Sequence, residues 1–168
     1  VEQRTRLSHD LGAAVAELRR NRACVDRRAG QAIGQPGDRE PRRAIETEVQ
    51  CGNGKVRVVA THFGLSLAER RTQARRLVAI ARRHNLPTIM LGDFNDWFWV
   101  KSVRRALAGR CPVRTRLRTF PSRLPILRLD RIYVTAQGDI LKAWTDKEAR
   151  AYSDHLPVIA DIAFSPDG

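Results

Sequence analysis

Between Val56 and Leu91 the sequence spells a strand, a helix and a second strand, and that crossover limits the chain to a few architectures. Val56, Val58 and Ala60 alternate with other residues up to Thr61-His62, the expected strand end. Ser66-Leu67-Ala68-Glu69 has the spacing of a capping box, and Leu67, Ala74, Leu77, Val78 and Ala81 mark one face of a helix running to near Asn85. Pro87 and Gly92 then bound the apolar run Thr88-Ile89-Met90-Leu91, which reads as a buried strand. Upstream, Ile45, Thr47 and Val49 alternate with polar neighbours before the turn Gly52-Asn53-Gly54, so the first strand of the crossover also closes a hairpin. A hairpin joined to a crossover predicts α/β architecture, with mixed sheets layered against helices.

The remaining elements are shorter. Ser8 can cap a helix with Leu11, Val15 and Leu18 on its apolar face, ending about Arg22. Cys24 to Arg43, broken by Gly30, Gly34, Pro36, Gly37 and Pro41, reads as an irregular connection. A short helix is expected over Ser102 to Ala108, stopping at Gly109, and a polar loop over Arg114 to Pro125 at one side of the site. Leu129 to Val134 and Ile140 to Trp144 look like another strand pair, and Leu156 to Phe164 a last strand.

At 168 residues the chain fits a single domain, 1–168. No run approaches the ~18 apolar residues of a membrane span. Cys24, Cys51 and Cys111 are odd in number and lack CxxC spacing, which predicts thiols in a reducing, cytoplasmic setting rather than disulfides or a zinc site. The formal net charge is +13, with 31 basic residues of which only Lys55, Lys101, Lys142 and Lys147 are lysines. Such a surface attracts polyanions, nucleic acid or anionic lipid, although arginine beside abundant alanine equally reflects base composition. The chain starts at Val1 without an initiator methionine, which reads as a processed product or a fragment.

Chemistry-bearing residues gather at strand ends. Asp93 and Asn95 follow the buried run, with side chains on one side if the segment is extended; an Asx-type turn is the plainer alternative. Asp130 opens a strand and can orient His155, or it forms a surface ion pair with Arg131. Asp154, beside His155, is the first choice for a Mg²⁺ or Mn²⁺ ligand, since magnesium takes one or two protein carboxylates and keeps water and phosphate for the rest. His62 either polarises a phosphate or is a satisfied core histidine. His9 and His84 receive no role, and Trp97, Trp99 and Trp144 are expected to pack rather than stack on bases. This inventory suits metal-assisted hydrolysis of a phosphate ester.

Taken in order, Ala60-Thr61-His62-Phe63, Leu91-Gly92-Asp93-Phe94-Asn95, Leu129-Asp130-Arg131-Ile132 and Ser153-Asp154-His155-Leu156-Pro157 resemble the signatures of the endonuclease/exonuclease/phosphatase superfamily, best over 39–164. The resemblance implies a four-layer α/β sandwich and divalent-metal-dependent hydrolysis of phosphodiesters of nucleic acid or phospholipid type. It implies Asp154 as a metal ligand, His155 paired with Asp130 as catalytic acid/base, Asp93 and Asn95 positioning water and phosphate, and His62 contacting the phosphate. The family's upstream asparagine and Gln-Glu pair have no recognisable counterpart here; Val1-Glu2 looks like the sequence that follows such a glutamate, and Glu46 and Glu48 fit a strand's polar face. The sandwich is therefore expected to be incomplete at its N-terminal side, with weakened metal affinity and exposed sheet edges. The alternative reading is a catalytically silent basic module that binds polyanions on the same fold.

Overall fold

A computed structural model describes residues 25–27, 30–34, 42–51, 54–83, 85–97 and 102–164. The expected N-terminal helix, the Gly52-Asn53 part of the hairpin turn, Cys24, His9, His84 and Trp99 lie outside them. The hairpin forms as read, from β3 (Arg43–Cys51) and β4 (Gly54–His62), with Val49 opposite Val56 and Ala44 opposite Thr61. The crossover forms too. Strand β4 leads through α1 (Leu67–Arg82) to β5 (Thr88–Asp93), which lies parallel to β4.

These strands belong to a sheet ordered β1-β3-β4-β5-β7-β6, in which β1 is Val25–Arg27, β6 is Val113–Arg114 and β7 is Asp130–Val134, with β2 (Gln31–Ala32) also pairing β3. A second sheet pairs β8 (Gly138–Thr145) with β9 (Val158–Phe164). One core lies between α1, α2 (Ser102–Leu107) and the larger sheet, built from Leu77, Ile80, Val59, Met90, Phe94, Val103 and Leu107. The other lies between the two sheets, from Val56, Val58, Ile89, Leu91, Ile132, Val158 and Ala160. Strand β5 is covered on both faces, which is why it reads as an unbroken apolar run rather than an alternation.

Four expectations need correction. The Cys24 to Arg43 stretch is not wholly irregular, because β1 and β2 take hydrogen-bond partners along the edge of β3, a tertiary effect invisible to local propensity. Strands β7 and β8 do not pair with each other: both edges of β7 are occupied, by β5 and β6, so the chain crosses to the second sheet and β8 pairs β9. Helix α1 ends at Arg82, short of Asn85, and Ser66 sits at its N-cap without a side-chain capping bond. The short helix likewise stops at Leu107, one residue early.

Arginine also enters the interior. Arg57 on β4 is fully buried and donates to Glu46 Oε1 (3.1 Å), the Ile80 carbonyl (3.0 Å) and Thr88 Oγ1 (3.4 Å), tying α1 to the sheet. Arg70 is buried and donates to the Leu65 carbonyl, and Arg76 donates to that of Gly34, so part of the α1 arginine set is structural rather than a solvated face.

Candidate active site

The register of three neighbouring strands assembles the site. His62 on β4 is the Cα partner of Asp93 on β5, and Asp93 is in turn the partner of Asp130 on β7. Adjacent strands lie about 4.8 Å apart, so the three residues stand abreast at one end of the sheet. Gly92 permits this close packing: its φ is 146°, and a Cβ there would fall 1.7 Å from the Thr61 carbonyl oxygen.

His155 arrives from the loop before β9. Its Nδ1 lies 2.7 Å from Asp130 Oδ2, and its ring packs against Phe120 with centroids 4.8 Å apart. Asp93, Asp130 and His155 each offer a ligand-type atom, and these atoms lie within 4.8 Å of one another. His62 Nε2 is 3.4 Å from Asp93 Oδ2. Asp154 is exposed and outside that trio.

Asn95 does not continue an extended segment. Its φ is 47°, its backbone N–H donates to Asp93 Oδ1 (2.9 Å), and its side-chain Nδ2 donates to the Phe63 carbonyl (2.9 Å). The Asx-type turn is therefore what forms, and it fixes the Asp93 carboxylate while tying Asn95 to the residue that follows β4. Phe94 packs edge-on against Phe63 and Tyr133 below the turn.

Two titrating groups are displaced from their ordinary ranges. Burial pushes the Asp93 carboxyl up to about 6, helped by the charge of Asp130 and opposed by the Asn95 N–H, His155 and Arg42. For His155, burial acts to lower the pKa, but the hydrogen bond and charge of Asp130, with Asp93 and Asp154, outweigh it and raise the value. Asp130 is fully buried, and its Oδ1 has no hydrogen-bond partner among the described residues.

The sequence reading missed the segment that holds this pair together. Thr119 Oγ1 accepts from the Asp130 backbone N–H (3.2 Å), and the Thr119 carbonyl accepts from Leu156 N (2.8 Å). Ser122 donates from its backbone to the Asp154 carbonyl (2.6 Å) and from Oγ to the Ser153 carbonyl (2.7 Å). The stretch between Arg114 and Pro125 is thus a clamp joining the two halves of the Asp130–His155 pair; only its Thr and Ser content hinted at this. Thr119→Val is expected to cost about 1–2 kcal/mol by leaving the Asp130 N–H unpaired. A urea midpoint equal to that of the wild type would contradict this role.

The residues also suit a hard cation. Two buried carboxylates face each other, one oxygen is unpartnered, and oxygen donors are what Mg²⁺ and Mn²⁺ prefer.

A sequence profile of the Endonuclease/Exonuclease/phosphatase family matches residues 7–155. The chain belongs to that family. Among curated proteins, the uncharacterized YbhP of Escherichia coli K12 is 35% identical over 116 residues, 64% of this chain and 46% of the relative. The chain therefore spans about half the length of the curated relatives it matches. An endonuclease/exonuclease/phosphatase from Bacteroides vulgatus superposes with a TM-score of 0.67 at 17% identity, covering 84% of this chain and 67% of that one. A mannosyl-6-phosphatase of Bacteroides thetaiotaomicron does so at 0.57 and 19%, over 83% and 67%. These likenesses agree with the α/β sandwich read from the sequence. No helix among the described residues is long and apolar enough to cross a membrane.

Proposed function

We propose that this family member is a divalent-metal-dependent phosphoesterase acting on phosphodiesters of nucleic acid or phospholipid type. The observation carrying the reading is the row His62, Asp93, Asp130 across three strands, completed by His155 Nδ1 at 2.7 Å from Asp130.

In-line hydrolysis needs an aligned water, stabilised phosphoryl oxygens and a departing alkoxide. Asp93 is a carboxylate above about pH 6 and can accept the proton of the attacking water, held in place by the Asn95 N–H. Asp130 fixes Nδ1 of His155 and supports its charged form, so Nε2 is left to exchange a proton with the substrate or to steady a phosphoryl oxygen. His62, next to Asp93, contacts the phosphate in this reading. Asp93 and Asp130, the carboxylates that lie together, would hold Mg²⁺ or Mn²⁺, with Asp154 as the further ligand that the resemblance implies. When bound, the cation supplies Lewis-acid stabilisation of phosphoryl charge.

Hydrolysis of bis-p-nitrophenyl phosphate and p-nitrophenyl phosphate, each with millimolar Mg²⁺ or Mn²⁺ and with EDTA, tests the reading. Metal-dependent release of nitrophenolate, faster from the diester, is the expected result. Background rates throughout would leave the silent polyanion-binding module, and a faster monoester would reassign the chain to phosphomonoesters.

A further inference from the structure

Arg114-Thr115-Arg116-Leu117-Arg118-Thr119 alternates with period two, and the structure uses that period. The odd members face inward: Thr115 and Thr119 are buried, and their hydroxyls accept from the backbone N–H groups of Ile132 (3.0 Å) and Asp130 (3.2 Å). The Thr115 N–H also donates to the Ile132 carbonyl (2.9 Å). An extended segment pinned through alternate residues turns the intervening ones to its other side. There Arg114, Arg116 and Arg118 line a groove of about 470 Å³ together with Arg104, Arg128 and Arg131. The groove shares strand β7 with the catalytic row: Arg131 is the residue after Asp130, turned to the other face of the strand, and Asp96 in the lining is the residue after Asn95.

Six guanidiniums gathered around one groove repel one another. Among the described residues, none of the six makes an ion pair, and Asp96 is the sole carboxylate lining the groove. Arg114 Nε is buried without a hydrogen-bond partner, as is Asp96 Oδ1. Burial and the charges of Arg104, Arg116 and Arg131 pull the Arg114 pKa down, a sign of how concentrated the positive charge is. Folding alone gives no reason to collect so much unneutralised charge, whereas a bound phosphate removes the repulsion and supplies acceptors for planar, forked donors.

We propose that this groove is a second phosphate site, which holds a non-scissile phosphate of the substrate beside the ester being cleaved. The proposal deepens the phosphoesterase reading and rests on it for the word substrate. The groove's apolar members favour a single-stranded nucleic acid as the source of that phosphate. Trp97, 44% exposed, and Ile126, 50% exposed, line the same space, and an aromatic ring beside arginines is the usual platform for an unpaired base.

Binding of fluorescein-labelled hexathymidylate to the full 168-residue chain in EDTA, followed by anisotropy, tests the site without any turnover. Arg116→Ala with Arg118→Ala is expected to weaken binding by about ten-fold or more, since both are exposed and their loss removes two phosphate contacts. Arg71→Ala with Arg75→Ala, exposed positions on α1, removes the same charge and is expected to change affinity by less than about two-fold. Inorganic pyrophosphate should displace the strand from the wild type. Calorimetric binding of pyrophosphate that depends on Arg116 and Arg118, without measurable binding of hexathymidylate, would keep the phosphate site and assign it to small polyphosphates. Equal losses in the two double variants, or binding to anionic vesicles but to neither phosphate probe, would overturn the proposal. Because the assay excludes metal and catalysis, a chain inert toward nitrophenyl esters would sink the phosphoesterase reading while leaving this result to stand or fall separately.

Discussion

His155→Ala will lower metal-supported turnover of bis-p-nitrophenyl phosphate by roughly 10²–10⁴, the usual range for losing a positioned acid or base. Asp130→Asn is expected to come within about ten-fold of that loss, because Asp130 acts through the ring it orients and the two form one unit. The pH profile separates this from a merely structural effect. The hydrogen bond and charge of Asp130 raise the His155 pKa, so the proton His155 carries is lost at the alkaline end of the profile. In Asp130→Asn the charge is gone, and the alkaline limb should move to lower pH. A uniform drop in rate with the limb unmoved would mean that Asp130 only supports the fold.

Asp93→Asn is expected to make the protein more stable at alkaline pH while removing activity. Burial holds the Asp93 carboxyl up at about 6 in the folded chain, above the 3.8 of an ordinary aspartate. The folded state therefore binds the proton more tightly than the unfolded state does. That contribution to stability is fully present below the unfolded pKa and is lost as pH rises through about 6. Asparagine imitates the protonated form, can still accept from the Asn95 N–H, and does not ionise. The variant should therefore match the wild type near pH 4 and exceed it by up to roughly 3 kcal/mol near pH 8 in EDTA, the equivalent of about two pKa units. Thermal unfolding at both pH values reads this directly, and a variant less stable than the wild type near pH 8 would contradict it. His155 adds a stabilisation of the same sign, present below its unfolded pKa and lost as pH climbs through its raised folded value. Millimolar Mn²⁺ should raise the wild-type melting temperature near pH 8 and leave that of Asp93→Asn unchanged.

Sequence legibility followed the range of the interactions involved. The β3–β4 hairpin and the β4-α1-β5 crossover were readable because apolar periodicity and turn residues act within a few positions. The four motifs supplied His62, Asp93, Asp130 and His155, the residues that the fold brings together, but their mutual register was not legible. Asp93 sits opposite Asp130 only because β7 runs antiparallel to β5, a pairing between residues far apart in the chain. The same limit hid the partner exchange of β8 and the edge strands β1 and β2. For Asn95 the sequence left extension and an Asx-type turn open, and the turn forms because the Asn95 N–H reaches the Asp93 carboxylate. The arginine stripe was present as a two-residue period, yet without β7 beside it nothing in the sequence says which of its faces is covered.

The most direct test of the site is the Mn²⁺-supported turnover of bis-p-nitrophenyl phosphate by the wild-type chain and by Asp93→Asn, with both shown to be folded by circular dichroism. The row of residues across β4, β5 and β7 requires the wild type to exceed the variant by roughly a hundred-fold or more, with the wild-type rate abolished by EDTA. Equal rates in the two folded proteins would contradict it.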